Sequence, residues 1–215
     1  MKENFKKVLI LAPHTDDGEM ACGATISKLI EEGMQVYYAA FSACEESVPA
    51  GFERDCLKKE LREATTVLGI NQEKVYIFDC KVRHFSEERQ KILDLMISLN
   101  KKINPDIVFT PSIHDIHQDH LVIANESLRA FKHTTILSYE VPWNNYRFNN
   151  QAFICVSEKN VEYKIRALKK YISQKNRNYA DEDFIKGILR THGVQAGVKF
   201  AEVFEIPRMI IKEMR

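Results

Sequence analysis

Short, continuous apolar runs alternate with amphipathic stretches through the first two-thirds of the chain, and this alternation constrains the fold more than any other feature. The apolar runs predict buried strands over residues 8–12, 36–41, 75–78 and 106–110. Apolar residues at helical spacing predict helices over 24–32, 52–68 and 85–103. Strands that are apolar throughout are typical of parallel sheets covered by helices on both faces. We therefore predict an α/β fold, a Rossmann-like three-layer sandwich with a mostly parallel sheet.

The last third of the chain continues with both kinds of element. Helices are predicted over 119–131, 158–173 and 181–190, and strands over 136–141 and 152–156. The sequence contains no internal repeat, low-complexity tract or linker. Because 215 residues is an ordinary length for one domain, we predict a single domain spanning 1–215.

Charge and cysteine content exclude several classes of protein. The chain has 31 Lys+Arg against 30 Asp+Glu, so we expect no nucleic-acid partner. The apolar runs fall short of the ~20 residues of a membrane helix, and residues 8–12 are too few for a signal-peptide apolar region of ~7–15 residues. The 5 cysteines are scattered without a CxxC pair, which indicates reduced thiols in a cytoplasmic protein. Homo-oligomerisation is left open.

Two clusters of histidine and aspartate follow predicted strands. His14-Thr15-Asp16-Asp17 comes directly after the first strand, and His117-Gln118-Asp119-His120 lies between the fourth strand and the next helix. Either cluster alone is commonly a helix cap or a solvated histidine. Ligands of open α/β sheets, however, bind at the carboxyl ends of the strands where the strand order reverses. With strand order 3-2-1-4-5, strands one and four are neighbours there, so we predict that both clusters share one site.

Imidazole and carboxylate groups are suitable ligands for zinc or a similar divalent ion. A catalytic zinc takes three protein ligands and keeps a position for water, whose pKa it lowers towards neutrality. The remaining carboxylates and histidines can then act as base, acid and oxyanion partner. Other chemistries are less well represented, because the sequence lacks a G-x-S-x-G elbow and a G-x-G-x-x-G after the first strand.

The two clusters also carry a family resemblance. Residues 12–26, APHTDDGEMACGATI, resemble the first signature of the LmbE-like or PIG-L de-N-acetylases, and HQDH at 117–120 resembles the second, H-x-D-H. Spacing, order and strand context agree over nearly the first 130 residues. The resemblance implies a zinc-dependent N-deacetylase that removes acetyl from an N-acetylglucosamine-type sugar or glycoconjugate. It implies a small-molecule N-acetylated sugar as the substrate and Zn²⁺ as the cofactor, with other divalent ions left open.

The resemblance also implies roles for individual residues. His14, Asp17 and His120 would bind the metal, and Asp16 would be the general base. His117 would stabilise the oxyanion or protonate the leaving amine. His117 and His120, three residues apart, could also both be ligands, although the family pattern favours His120 alone.

Asp119 is expected to act through His117. A carboxylate between the two histidines can hydrogen-bond the His117 ring and hold it in the required tautomer. We expect this contact to raise the pKa of His117 by favouring the imidazolium.

The sequence departs from the family pattern where the substrate is bound. Thr15 replaces the usual proline, which is tolerable because this residue is not a ligand. Leu57 occupies a position where several members carry a sugar-binding arginine, and Arg54 or Arg83 is expected to substitute. This departure concerns the identity of the substrate more than the chemistry.

Three further residues are predicted to contact the substrate. Asp79, at the end of the third strand, could hydrogen-bond sugar hydroxyls. Trp143 could offer an aromatic face to a sugar ring, with core or lid packing as the alternative. His192, in a glycine-punctuated segment, is expected in a lid over the site.

Three alternative functions remain at this point. An amidohydrolase with the same metal chemistry could act on a non-sugar N-acyl substrate. A non-catalytic carbohydrate-binding module is disfavoured, because it would not need the base Asp16. A metal-dependent phosphoesterase would need a second metal or a phosphate-binding loop, and the sequence shows neither.

Overall fold

The computed structural model describes residues 5–211. Within that range seven strands form a mixed sheet, which consists of β1 (Lys7–Ala12), β2 (Gln35–Ala40), β3 (Val75–Ile77), β4 (Ile107–Pro111), β5 (Thr135–Tyr139), β6 (Ala152–Val156) and β7 (Phe200–Arg208). The spatial order is β3-β2-β1-β4-β5-β7-β6. The first five strands are parallel, and β7 runs antiparallel to both β5 and β6. The predicted order of strands one to five is confirmed.

The same residues form the helices α1 (Asp17–Glu31), α2 (Cys56–Leu68), α3 (Arg89–Ile103), α4 (Gln118–Ala130), α5 (Glu158–Leu168) and α6 (Glu182–Gln195). Side chains alternate between the faces of a strand, and β1 shows the consequence. Ile10 packs in a cluster with residues of α1, α2 and α5, whereas Leu9 packs in a cluster with residues of α3 and α4. The predicted three-layer α/β architecture is therefore confirmed.

The predicted helix over 158–173 ends earlier, at Leu168, and two further differences from the predicted elements concern α1 and β7. The predicted helix over 24–32 begins earlier, at Asp17, and is kinked at Cys22, whose φ and ψ are −129° and 20°. Strand β7 is not predicted from the sequence, because Glu202 and Glu205 interrupt its apolar run although both side chains are buried. Strand β7 contacts α1 just after the kink, where the Glu202 carboxylate accepts hydrogen bonds from Ala24 N (3.2 Å) and Thr25 N (2.6 Å).

Strands β1 and β4 are paired in the centre of the sheet. Their carboxyl ends lead into the loops 13–16 and 112–117, and these loops together with the first residues of α1 and α4 carry the two predicted clusters. Of the described helices, none combines the length and apolar character that crossing a bilayer requires. The prediction of one domain over 1–215 stays a prediction.

Candidate active site

Three potential ligand atoms converge between the loops after β1 and β4. The Asp17 Oδ2 atom lies 3.1 Å from His14 Nδ1 and 3.2 Å from His120 Nε2, and the two ring nitrogens are 3.3 Å apart. A tetrahedral ion with ligand distances of about 2.0–2.1 Å holds its ligand atoms about 3.3 Å apart. The spacing and the chemistry of this donor set therefore fit a zinc-like divalent ion.

Each of these histidines has a carboxylate on its other ring nitrogen. His14 Nε2 is 3.0 Å from Asp119 Oδ2, and His120 Nδ1 is 2.7 Å from Asp115 Oδ2. Both carboxylates are buried. Histidine ligands of metals commonly donate their second N–H to a carboxylate, which fixes the tautomer and the ring orientation. The arrangement leaves His14 Nδ1 and His120 Nε2 as the nitrogens that face Asp17.

The charges of the three groups are strongly coupled. Burial disfavours the charged form of His14, but the Asp17 carboxylate and the hydrogen bond to Asp119 outweigh it and raise the pKa of His14 to about 9. Burial likewise opposes the charge on His120, and Asp17 with Asp115 raises its pKa to about 10. Burial alone would raise the pKa of Asp17, yet His120 and His14 hold it well below its usual range. A metal ion would compete with protons for these ring nitrogens.

Asp16 lines the same cavity as the converging atoms. It precedes the first residue of α1 at the N-cap position, where its side chain makes no capping hydrogen bond within the described residues. Burial and the neighbouring Asp17 charge raise the pKa of Asp16 to about 6, and the charges of His14 and Arg177 limit the rise. This carboxylate is therefore more basic than an ordinary aspartate.

The predicted pairing of Asp119 with the His117 ring is wrong. The Asp119 side chain contacts His14 and accepts hydrogen bonds from Arg83 N (2.6 Å) and Phe85 N (3.3 Å). His117 Nδ1 instead accepts a hydrogen bond from the backbone N–H of Asp119, at 3.2 Å. The reason is geometric, because Asp119 lies in the first turn of α4, whose free N–H groups point back at the N-cap His117.

The expected rise in the pKa of His117 is also wrong. Burial lowers the pKa of His117, and the positive charges of His120 and His14 lower it further, against the opposing Asp119 charge. A neutral ring that accepts at Nδ1 carries its proton on Nε2. His117 is therefore suited to donate a hydrogen bond from Nε2.

His117 also belongs to a wider group of ring nitrogens. Ligand atoms of His14, His117 and His120 all lie within 4.8 Å of one another. The set that contains Asp17 is tighter, at 3.1–3.3 Å, and it includes the charged ligand. Asp17 is therefore a better third donor than His117.

A cavity of about 260 Å³ opens above these groups. Of the residues predicted to bind substrate, Arg83 and Trp143 line it, and so does Leu57, at the position of the missing family arginine. Arg83 has φ of +69°, a left-handed conformation that is uncommon for a residue other than glycine. Its backbone N–H is held by Asp119, so the conformation of Arg83 is tied to the proposed metal ligand His14.

Three of the predicted substrate-binding residues lie elsewhere. Arg54 and Asp79 line a neighbouring cavity, where their side chains are 79% and 91% exposed and pair with Glu45 and Lys91. His192 lies in a groove beside α6, with its Nε2 3.1 Å from Glu140. The structure therefore separates these three from the groups that converge after β1 and β4.

Sequence reasoning missed two residues of the site. Asp115, which orients His120, lies in the same histidine-rich loop as His114 and His117 and could have been found from that position. Arg177 also lines the cavity. It follows α5 in a segment with no motif, so its sequence offers no comparable signal.

A mixed α/β sheet with histidine and carboxylate groups clustered at its carboxyl edge is an enzyme-like arrangement. Residues 9–131 match the model of the family described as "PIG-L: GlcNAc-PI de-N-acetylase". Because that match covers more than half of the 215 residues, the chain belongs to the PIG-L family of de-N-acetylases.

Curated relatives carry deacetylase names. The "Uncharacterized deacetylase YaiS" of Escherichia coli K12 is 28% identical in an alignment 173 positions long that covers 78% of this chain and 91% of the relative. The "Probable N-acetyl-alpha-D-glucosaminyl L-malate deacetylase 2" of Bacillus cereus is 29% identical in an alignment 140 positions long that covers 58% of this chain and 60% of the relative. The "Diacetylchitobiose deacetylase" of Thermococcus kodakarensis is 23% identical over 93% of this chain and 82% of the relative.

Solved structures share the fold. The N,N'-diacetylchitobiose deacetylase of Pyrococcus horikoshii superposes with a TM-score of 0.80 at 22% identity, over 95% of this chain and 84% of that chain. GalB, the 4-carboxy-2-hydroxymuconate hydratase of Pseudomonas putida KT2440, gives 0.81 at 15% identity, over 98% and 99%. At these identities the likeness shows the fold alone, and the fold serves more than one reaction.

Proposed function

We propose that this protein is a metal-dependent N-deacetylase that hydrolyses the acetamide of an N-acetylglucosamine-type sugar or glycoconjugate. The convergence of His14 Nδ1, Asp17 Oδ2 and His120 Nε2 at 3.1–3.3 Å carries the proposal, because it adds a metal-type donor set to a cavity with a basic carboxylate. Membership of the PIG-L family supports the reaction type. The deacetylase names of the relatives, two of which describe acetylated amino sugars, support the substrate class.

His14, Asp17 and His120 would hold the ion, and zinc is the ion that two imidazoles and a carboxylate suit well. When bound, the ion would act as a Lewis acid on the substrate carbonyl and lower the pKa of a water molecule. Asp115 and Asp119 would keep the two histidine rings in the orientation that this requires.

Asp16 would act as the general base. It would take a proton from the attacking water while a bond forms between the water oxygen and the amide carbon. A pKa of about 6 leaves this carboxylate largely ionised at neutral pH and makes it a better proton acceptor than an ordinary aspartate.

His117 would stabilise the negative charge that develops on the amide oxygen, by donating a hydrogen bond from Nε2. The proton held by Asp16 is then available to the nitrogen as the C–N bond breaks. The products are acetate and the free amine. Trp143 and Arg83, which line the cavity, would contact the rest of the substrate, with Arg177 opposite an anionic or hydroxyl-rich group.

The test combines metal analysis with acetate release from a panel of N-acetylated sugars and N-acylated amino acids. The expected result is one divalent ion per chain and acetate release from a member of the sugar set. Asp16→Asn should keep the ion and the fold, because this side chain makes no capping bond within the described residues, but lose about 10²–10⁴-fold in turnover. Asp181→Asn is the control, since Asp181 caps α6 and does not line the cavity.

The panel also distinguishes the alternatives. Release from the N-acyl amino acids alone would replace the sugar deacetylase with an amidohydrolase of the same metal chemistry. An Asp16→Asn protein with near-normal turnover would remove Asp16 from its proposed role. Loss of the ion in His117→Ala would make His117 a ligand.

A further inference from the structure

A closed ring of buried hydrogen-bonding groups lies behind the loop that carries His14, Asp16 and Asp17. The Thr15 carbonyl oxygen of this loop lies 3.0 Å from Tyr38 Oη and 2.7 Å from Tyr171 Oη, and each hydroxyl can donate its one proton either to this oxygen or to Glu19. The Glu19 carboxyl group contacts both hydroxyls from the other side, with Tyr171 Oη 2.9 Å from Oε1 and Tyr38 Oη close to Oε2. The ring therefore joins the loop after β1, which contains Thr15, to α1, β2 and the segment after α5.

We infer that Glu19, Tyr38 and Tyr171 are positioning residues, which hold the Thr15 carbonyl and thereby fix the loop that presents the proposed base and metal ligands. Glu19 and Tyr38 are fully buried and Tyr171 is 4% exposed. They lie behind the loop rather than along the cavity lining, so they act on the reaction through the loop. This inference rests on the proposed function of Asp16 and Asp17.

The chain makes room for this contact at Gly18. A Cβ atom at residue 18 would lie 2.6 Å from both Cε2 and the hydroxyl of Tyr38, which is too close for any real side chain. The Gly18 backbone N–H also donates to Tyr38 Oη, at 3.1 Å. The glycine at 18 and the tyrosine at 38 therefore fit each other, and the fit brings the hydroxyl to the loop.

The buried Thr15 carbonyl requires hydrogen-bond partners. Thr15 is 1% exposed, and a buried carbonyl without a hydrogen-bond partner is costly. Thr15 also separates His14 from Asp16, so a shift of its peptide changes the direction of both side chains. Misplacement of a reacting group by about 1 Å can cost on the order of 10²-fold in rate.

The test uses Tyr171→Phe and Tyr38→Phe, which remove one hydroxyl each, with Tyr139→Phe as the matched control. Tyr139 is also buried and also donates to a backbone carbonyl, Leu11 O at 2.8 Å, and within the described residues this bond is not part of the ring formed by Thr15, Glu19, Tyr38 and Tyr171. Three measurements apply below the melting temperature of every variant. They are the Zn²⁺ dissociation constant from chelator competition, kcat and KM, and hydrogen exchange of peptides that cover residues 13–17.

We expect Tyr171→Phe and Tyr38→Phe to weaken Zn²⁺ binding and lower kcat by about 10-fold or more each, with KM little changed and exchange in 13–17 faster. Because both hydroxyls hold the same carbonyl, the double variant should lose less than the product of the two effects. Tyr139→Phe should lower the melting temperature while Zn²⁺ affinity, kcat and exchange in 13–17 stay within about twofold.

Equal changes in Tyr139→Phe would overturn the inference, because the tyrosines would then act through global stability. Unchanged exchange and Zn²⁺ affinity in Tyr171→Phe and Tyr38→Phe would overturn it as well. Zn²⁺ affinity and hydrogen exchange need no substrate, so these readouts decide the inference even if the protein deacetylates none of the sugars tested.

Discussion

Residues up to Ala130 and the residues that follow them contribute different things to the same site. The first region contains the parallel strands β1 to β4 and the two loops with their histidines and aspartates. The potential metal ligands and the proposed base Asp16 come from segments of a few residues that directly follow β1 and β4. Chemistry of this kind is local in sequence and therefore leaves a motif.

The second region supplies contacts that hold the first in place. Glu202 of β7 binds the backbone of α1 and Lys164 of α5. Glu205 of the same strand accepts from Ser112 Oγ at 2.5 Å and from Asn149 N at 3.0 Å, and so ties the loop after β4 to the segment before β6. Positioning groups can therefore be distant in sequence even where reacting groups are local.

The largest expected effect belongs to the first region. His120→Ala should lose most of the bound metal and nearly all acetate release, because it removes one of three converging donors. His114→Ala is the control in the loop that leads into α4, since its Nε2 faces Glu205 at 3.9 Å rather than Asp17. Metal content after dialysis and turnover give the result. Similar losses in both variants would show that the loop, and not the ligand, was damaged.

A smaller effect is expected from the carboxylates that orient the ligands. Asp115→Asn and Asp119→Asn should each weaken metal binding by about 10–100-fold, because each removes the negative partner of a histidine ring. Asp106→Asn is the control, since this carboxylate accepts hydrogen bonds from Lys6 N and Lys7 N at the amino ends of β1 and β4, away from the carboxyl ends that carry the site. If Asp119→Asn lowers turnover while metal affinity stays intact, the Asp119 carboxylate acts through His117 and not through the metal ligand His14.

Much of the first region could be predicted from the sequence. Uninterrupted apolar strands identify a parallel sheet, and the rule for where ligands bind in such sheets places both motif loops together. The partner of Asp119 could not be predicted, because the choice between His14 and His117 depends on how the loop after β4 turns into α4. Spacing in sequence favoured the wrong ring.

The second region was harder to predict for a different reason. Buried glutamates in β7 look like surface residues until their partners are known, and Lys164, the amides of α1, Ser112 and Asn149 are all far away in sequence. Tyr171 likewise has no motif, and its contact with Thr15 spans 156 residues. Long-range polar contacts of this kind have no local pattern.

The smallest effect on turnover is expected from the buried pair Lys164–Glu202, whose Nζ and Oε1 atoms are 2.6 Å apart with side chains 5% and 3% exposed. Glu202→Gln leaves the Lys164 ammonium buried without its charged partner, which should cost about 3–5 kcal/mol of unfolding free energy. Lys164→Met should cost less than half as much, because Glu202 still accepts from Ala24 N and Thr25 N and the Met stem still packs on Gly23.

Urea unfolding of both variants measures these costs, and turnover per folded molecule measures the coupling to the site. Turnover per folded molecule should stay within about twofold of the unaltered protein. The Lys164–Glu202 pair does not contact the reacting groups, so its loss should change only the free energy of unfolding. If Lys164→Met is the more damaging change, the backbone donors of α1 contribute little to the stability of Glu202. Weaker Zn²⁺ binding in Glu202→Gln would mean that a shift of α1 at its kink moves Asp17, the first residue of this helix. The second region would then position the metal ligands through α1 as well as through Tyr171.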